Sequence, residues 1–118
     1  MATTDLTADT YDQVVDDNAI VFVEFTADWC PPCMRFAPVF EQASERHRDV
    51  VFCKVDTDAE PALSKEAGIK SIPTVLAYRE GILLFGQRGA MPAEKLDELV
   101  NAVRDLDMDQ VRAHATQM

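Results

Sequence analysis

The sequence predicts an α/β protein, a mixed central β-sheet flanked by helices on both faces. Three observations predict it. Two successive βα units, each an apolar β-rich run followed by a helical stretch, imply parallel strands with right-handed crossovers. A short hairpin then adds antiparallel strands to the same sheet. The β-rich runs are apolar on consecutive residues, so they need cover on both faces. The 118 residues suit a single domain, and with 47% hydrophobic residues the chain can build a core without staples. No repeat, linker or low-complexity stretch divides it, so residues 1–107 are expected to form the domain and 108–118 a polar, fraying C-terminal tail.

The elements follow in order. Thr7 to Val15 reads as a short helix with Thr7 as its N-cap. Ile20-Val21-Phe22-Val23-Glu24-Phe25 is a strand whose apolar run is broken only by Glu24. A helix over Pro32 to His47 carries Cys33, Phe36, Phe40, Ala43 and His47 on one face, with Val39 beside them. Pro38 falls inside that helix, deletes the bond to the carbonyl of Met34 and should kink the axis. Val50 to Val55 is a second strand. Asp58 is placed to cap a helix from Ala59 to Ala67, which Gly68 ends. Thr74–Tyr78 and Ile82–Phe85 are strands joined through Arg79-Glu80-Gly81. Pro92 opens a last helix with an apolar face of Leu96, Leu99, Val100, Val103 and Leu106.

Composition excludes several function classes. With 21 acidic and 11 basic residues the formal net charge is −10. Nucleic acid and anionic membrane both require a basic patch, so neither is expected as a partner. No apolar run approaches the ~18 residues of a membrane span. The start, Met1-Ala2-Thr3-Thr4-Asp5, has neither a basic nor an apolar leader region, and a cytoplasmic location is expected. Stable disulfides are rare there, and those found tend to be transient or catalytic.

That matters for residues 29–34, W-C-P-P-C-M. A C-x-x-C pair can hold a metal, staple a fold or pass electrons. Residues three apart on a helix face each other at about 5–6 Å between Cβ atoms, within small adjustment of a disulfide. Cys30 lies where the helix begins, and free amides and the positive dipole end there stabilise a thiolate, the species that attacks disulfides. An exposed Cys30 attacking and a buried Cys33 resolving is the division of roles that position implies. Pro31 and Pro32 are tolerated in a first helical turn and stiffen it. They also remove N–H groups that could have bonded a thiolate, an opposing effect.

Two further residues join the pair. Glu24 sits in the middle of a buried strand, where desolvation raises a carboxyl pKa. It could exchange a proton with the thiol of Cys33, with Lys54 as a charged neighbour that tunes it. Pro73, in Ser71-Ile72-Pro73-Thr74, directly precedes a strand, where proline suits a first strand position or a tight turn.

Taken together these residues resemble the thioredoxin family, over nearly the whole chain from Leu6-Thr7 to about Leu106. V-E-F-T-A-D-W-C-P-P-C-M-R-F-A-P resembles its active-site block, K-V-D-T-D its next strand, S-I-P-T its cis-proline loop, and Y-R-E-G and G-A its hairpin and the small-residue loop beside the site. C-x-x-C alone is weak evidence. Preceded by Trp29, followed by Pro38 and then by I-P-T some forty residues on, it is specific. The resemblance implies a thioredoxin fold and dithiol–disulfide exchange with protein disulfide substrates. It implies that Pro73 is a cis-proline against the cysteines and that substrate pairs with the backbone at Ile72. It makes Trp29, Pro31, Pro32, Ile72, Gly89 and Ala90 a shallow docking surface. It also implies a thioredoxin reductase, an NADPH-linked flavoprotein, as electron donor. No G-x-G-x-x-G fingerprint is present, and no bound cofactor is expected.

The sequence departs from the family at several places. Pro-Pro replaces the usual Gly-Pro between the cysteines, and Glu24 replaces an Asp. Thr26 and Met34 stand where Trp and Lys are common, and Arg88 where a small apolar residue is common. These changes bear on redox potential and partner choice rather than on the class of chemistry. Three alternatives remain alongside. A Cys₃His zinc site from Cys30, Cys33, His47 and Cys53 would need ligands about 21 Å apart on one helix to meet. A non-catalytic binding module on the same fold would have no need of Cys30, Cys33, Glu24 and Pro73 together. A more oxidising role, as disulfide oxidant or isomerase, fits a cytosolic setting less well. Cys53 is expected to be a buried strand residue, and His47 and His114 surface residues.

Overall fold

The computed structural model describes the backbone over residues 2–117 and side chains over residues 2–114. The chain runs β1 (Thr3–Asp5), α1 (Tyr11–Asp17), β2 (Ile20–Thr26), α2 (Pro31–Arg46), β3 (Val51–Asp56), α3 (Pro61–Glu66), β4 (Thr74–Arg79), β5 (Ile82–Arg88), α4 (Ala93–Asp105) and α5 (Met108–Gln117). Among the described residues the strands form one sheet in the order β1-β3-β2-β4-β5. β3 pairs in parallel with both β1 and β2, whereas β4 is antiparallel to β2 and to β5. This is the mixed sheet that the sequence predicts.

β2 lies at the centre, and its continuous apolar run follows from cover on both faces. Phe22 joins Phe52, Val75 and Ala77 beneath Phe36, Phe40 and Ala43 of α2 and Leu96, Val100 and Val103 of α4. Val21, Val23 and Phe25 point the other way, with Cys53, Val55 and Leu76, and meet Leu6, Tyr11 and Val15. Phe40 anchors the first cluster. It has no exposed surface and its ring stands edge-on to Phe52 at 5.1 Å between centroids.

Four elements differ from expectation. β1 was not anticipated: it is three polar residues paired with one neighbour only. α1 begins at Tyr11 rather than Thr7, because the Thr7 carbonyl accepts turn bonds from the amides of Thr10 and Tyr11. α3 begins at Pro61 with Glu60 as N-cap, since Asp58 is bonded elsewhere. The segment after Asp107 is helical instead of frayed. Met108 is buried, and Arg112 reaches back to Glu80 in the hairpin turn. That turn is a two-residue loop, Glu80-Gly81, with φ of 53° and 79°, the positive values at both positions that a type I′ turn requires.

Arg79 holds the far end of this layer. Its guanidinium donates to the carbonyls of Val103, Arg104 and Leu106 at 2.8, 3.0 and 2.9 Å, covering the orphan acceptors where α4 ends. Leu106, expected on the apolar face of this helix, is instead its C-cap and 39% exposed. Arg79→Ala should therefore cost about 2 kcal/mol in urea denaturation, and Arg79→Lys should recover only part of it, because an ammonium lacks the planar fork.

Candidate functional site

The site starts from the beginning of α2. Cys30 is the N-cap, in extended backbone, and Pro31 and Pro32 occupy the first helical turn. Neither proline N would have had an intrahelical partner there. The Cys33 amide donates to Cys30 Sγ at 3.3 Å, and the Met34 amide to the Cys30 carbonyl at 3.0 Å. Cys30 and Cys33 are joined as a disulfide with Cα atoms 5.2 Å apart. One expectation is corrected here. Cys30 is not exposed at an open tip: it is 4% accessible, against 1% for Cys33. The Cys30 sulfur lies 3.8 Å from the Ile72 carbonyl, under the neighbouring loop.

That loop is the second part. The Ile72–Pro73 bond is cis, Pro73 is buried and Ile72 is half-buried. The Gly89 amide donates to the Pro73 carbonyl at 2.8 Å, which ties the exposed Ala90 segment beside it. Segments 29–33, 72–74 and 89–90 are thus stitched together around the disulfide. Pro31 is exposed and Pro32 half-buried at its rim.

Trp29 is 67% exposed and Met34 61%, the two most exposed large apolar side chains among those described. Met34 lies off the apolar face that helical spacing gives α2, in keeping with its exposure. The Trp29 indole N–H donates to Asp58 Oδ2 at 2.6 Å. This is the bond that takes Asp58 away from capping α3, whose preceding turn is held by Asp56 instead.

The remaining candidate of the set is Glu24. Strand alternation puts it on the same face as Phe22, the face that α2 covers. It has no exposed surface, and among the described residues neither carboxylate oxygen has a hydrogen-bond partner. Burial pushes its pKa up to about 7, and the charge of Lys54 pulls weakly the other way. Lys54 is its register partner in β3, alongside rather than bonded.

The remaining sequence candidates lie apart. Cys53 is buried, and burial pushes its thiol up to about 12. It faces the opposite side of the sheet from α2, with Val23 and Phe25. His47, expected on the surface, is half-buried as the C-cap of α2 and stacks on Phe52. Its Nδ1 lies 3.2 Å from the Arg104 guanidinium and therefore accepts, so Nε2 carries the proton donated to Asp97 at 2.7 Å. His114 is exposed, as expected. The continuous α2 keeps Cys33 and His47 at its two ends.

Residues 2–102 match the thioredoxin family model. The chain belongs to the thioredoxin family. A Streptomyces coelicolor relative, provisionally named thioredoxin 2, is 47% identical over 111 residues, 94% of this chain and 83% of its own. A mutant thioredoxin from Halobacterium salinarum superposes with a TM-score of 0.83 at 29% identity, covering 89% of this chain and 93% of that one. Spinach chloroplast thioredoxin f does so at 0.82 and 31%, covering 88% and 95%. As a thioredoxin with its C-x-x-C pair intact, the protein is an oxidoreductase of dithiol–disulfide exchange, and its substrates are disulfides.

The position of Glu24 has a measurable consequence. Its folded pKa lies above its ordinary 4.5, so between about pH 4.5 and 7 the folded state keeps a proton that the unfolded chain has released. The destabilisation from Glu24 is absent below that window and complete above it, reaching about 3 kcal/mol. The stability gained by Glu24→Gln should accordingly grow between pH 4 and pH 8 in paired denaturation curves. A gap that does not change with pH would rule out the raised carboxyl.

Proposed function

We propose that the protein is a general disulfide reductase in which Cys30 is the nucleophile and Cys33 the resolving thiol. The Cys30 thiolate attacks one sulfur of a client protein disulfide. The client S–S bond breaks, a Cys30–client disulfide forms, and the first client thiolate leaves and takes up a proton. Cys33 gives its proton to the Glu24 carboxylate and attacks the Cys30 sulfur. The second client thiolate leaves, and Cys30 and Cys33 become the disulfide. Two electrons pass to the client, and Glu24 returns its proton through the site. Lys54 tunes Glu24 by its charge.

The observation that supports this reading best is the Cys30 sulfur, held at the start of α2 and 3.8 Å from the Ile72 carbonyl. A client segment laid along Ile72 would bring its own sulfur to that point, pairing with backbone as an added strand. Trp29, Pro31, Pro32, Ile72, Gly89 and Ala90 form the docking surface in this reading, with Pro73 shaping it. Residues 1–107 are the thioredoxin domain and 108–118 an appendage. The protein acts in the cytoplasm, where an NADPH-linked flavoprotein thioredoxin reductase returns two electrons to the disulfide.

Two experiments test this. Cys33→Ser should trap a covalent Cys30–client disulfide on non-reducing gels, and Cys30→Ser should trap none and abolish reduction of a protein disulfide. Equilibration in thiol buffers should give a potential near −270 mV for the pair. A value near −200 mV or above would instead favour the isomerase or oxidant role.

A further inference from the structure

A groove of about 310 Å³ lies on the α3 side of the sheet, lined by Ala67, Gly68, Ile69, Lys70, Thr74, Leu76, Gly86 and Arg88. It adjoins the site directly. Thr74 follows Pro73, and Arg88 is its register partner across β4 and β5. Lys70 also lines a smaller hollow with Ser71 and Ile72, so it stands between the groove and the residue that we propose pairs with substrate. Gly86 keeps the groove open: a Cβ there would sit 3.0 Å from Leu76 Cδ2.

The charges that line this groove are both positive. Among the described residues Lys70 and Arg88 are its only charged lining residues, and both are exposed. Among the described residues neither has an ion-pair partner, in a chain whose formal charge is −10. The other flank of the disulfide is acidic, with Asp28 and Asp58 exposed beside Trp29. A polypeptide crossing the site therefore meets acid on one side and two uncompensated cations on the other.

We propose that this groove is a subsite for an acidic side chain of the client polypeptide, near the disulfide under attack, with Lys70 and Arg88 as specificity residues. The proposal rests on the disulfide-reductase reading above and adds to it a class of substrate. Charge complementarity supplies both the attraction and the orientation, since the same acidic side chain is repelled from the Trp29 flank.

The test uses cyclic two-cysteine disulfide peptides identical except for Glu, Gln or Lys at the positions flanking one cysteine. The second-order rate of their reduction by the pre-reduced full chain is measured at low and high salt. The Glu peptide should react about fivefold faster than the Gln peptide at low salt, and the ratio should shrink in high salt. Lys70→Gln combined with Arg88→Gln should bring the ratio to about one, and Lys70→Glu with Arg88→Glu should turn the preference toward the Lys peptide. Arg48→Glu, which makes the same two-unit charge change beyond the far end of α2, should leave the ratio intact. Equal Glu and Gln rates with the parent protein, or a ratio that survives the double Gln variant, would overturn the subsite. Failure to reduce even the Gln peptide would sink the reductase reading itself, a separate outcome.

Discussion

The burial of α2 against β2 and β3 is the constraint on which the rest of this structure depends. Phe36 and Phe40 seat the helix on Phe22 and Phe52, and that contact decides where its first residue lies. Everything chemical is referred to that point. The disulfide spans the first turn of the helix, Glu24 is on the strand face that the helix covers, and Ile72 arrives from the loop leading into β4. A Phe40→Ala change would remove several kcal/mol of packing. It would loosen the site because the helix that loses its seat is also the one that aims the sulfurs.

The same packing explains the carboxylate. Glu24 is surrounded because β2 is central and covered on both faces, and nothing near it offers a hydrogen bond. The cost of an unsatisfied buried carboxyl is carried on the strand face that α2 covers, with Lys54 as its register partner in β3. His47 shows the contrasting case: also drawn inward, it has both ring nitrogens satisfied and serves to join α2 to α4.

Much of this was legible in the sequence, for identifiable reasons. β2, α2 and α4 are long and strongly patterned, so burial and periodicity agree. Gly81 marked the hairpin because only a positive-φ loop closes it in two residues. The cysteine pair, Glu24 and Pro73 stood out because each is anomalous in its local setting. What escaped was decided by partners distant in sequence. β1 is polar and exists only by pairing with β3. Asp58 looked like a helix cap, but the Trp29 indole, 29 residues away, holds it. Arg79 looked like a turn residue, but it closes the end of α4. The concealment of Cys30 depends on the loop at Ile72, 42 residues away.

Cys53 looks like an ordinary core residue, yet its place sorts the three sulfurs of the chain. With three cysteines, three pairings are conceivable. The assembled sheet stands as a wall between Cys53 and the other two, since Cys53 faces α1 while Cys33 rides on α2. A scrambled bond to Cys53 can form only while that wall is absent, in a chain that has not yet built β2 and β3. The order of events during oxidative folding thereby becomes a matter of fidelity: once the central strands have zipped together, the architecture itself permits one pairing and forbids the other two.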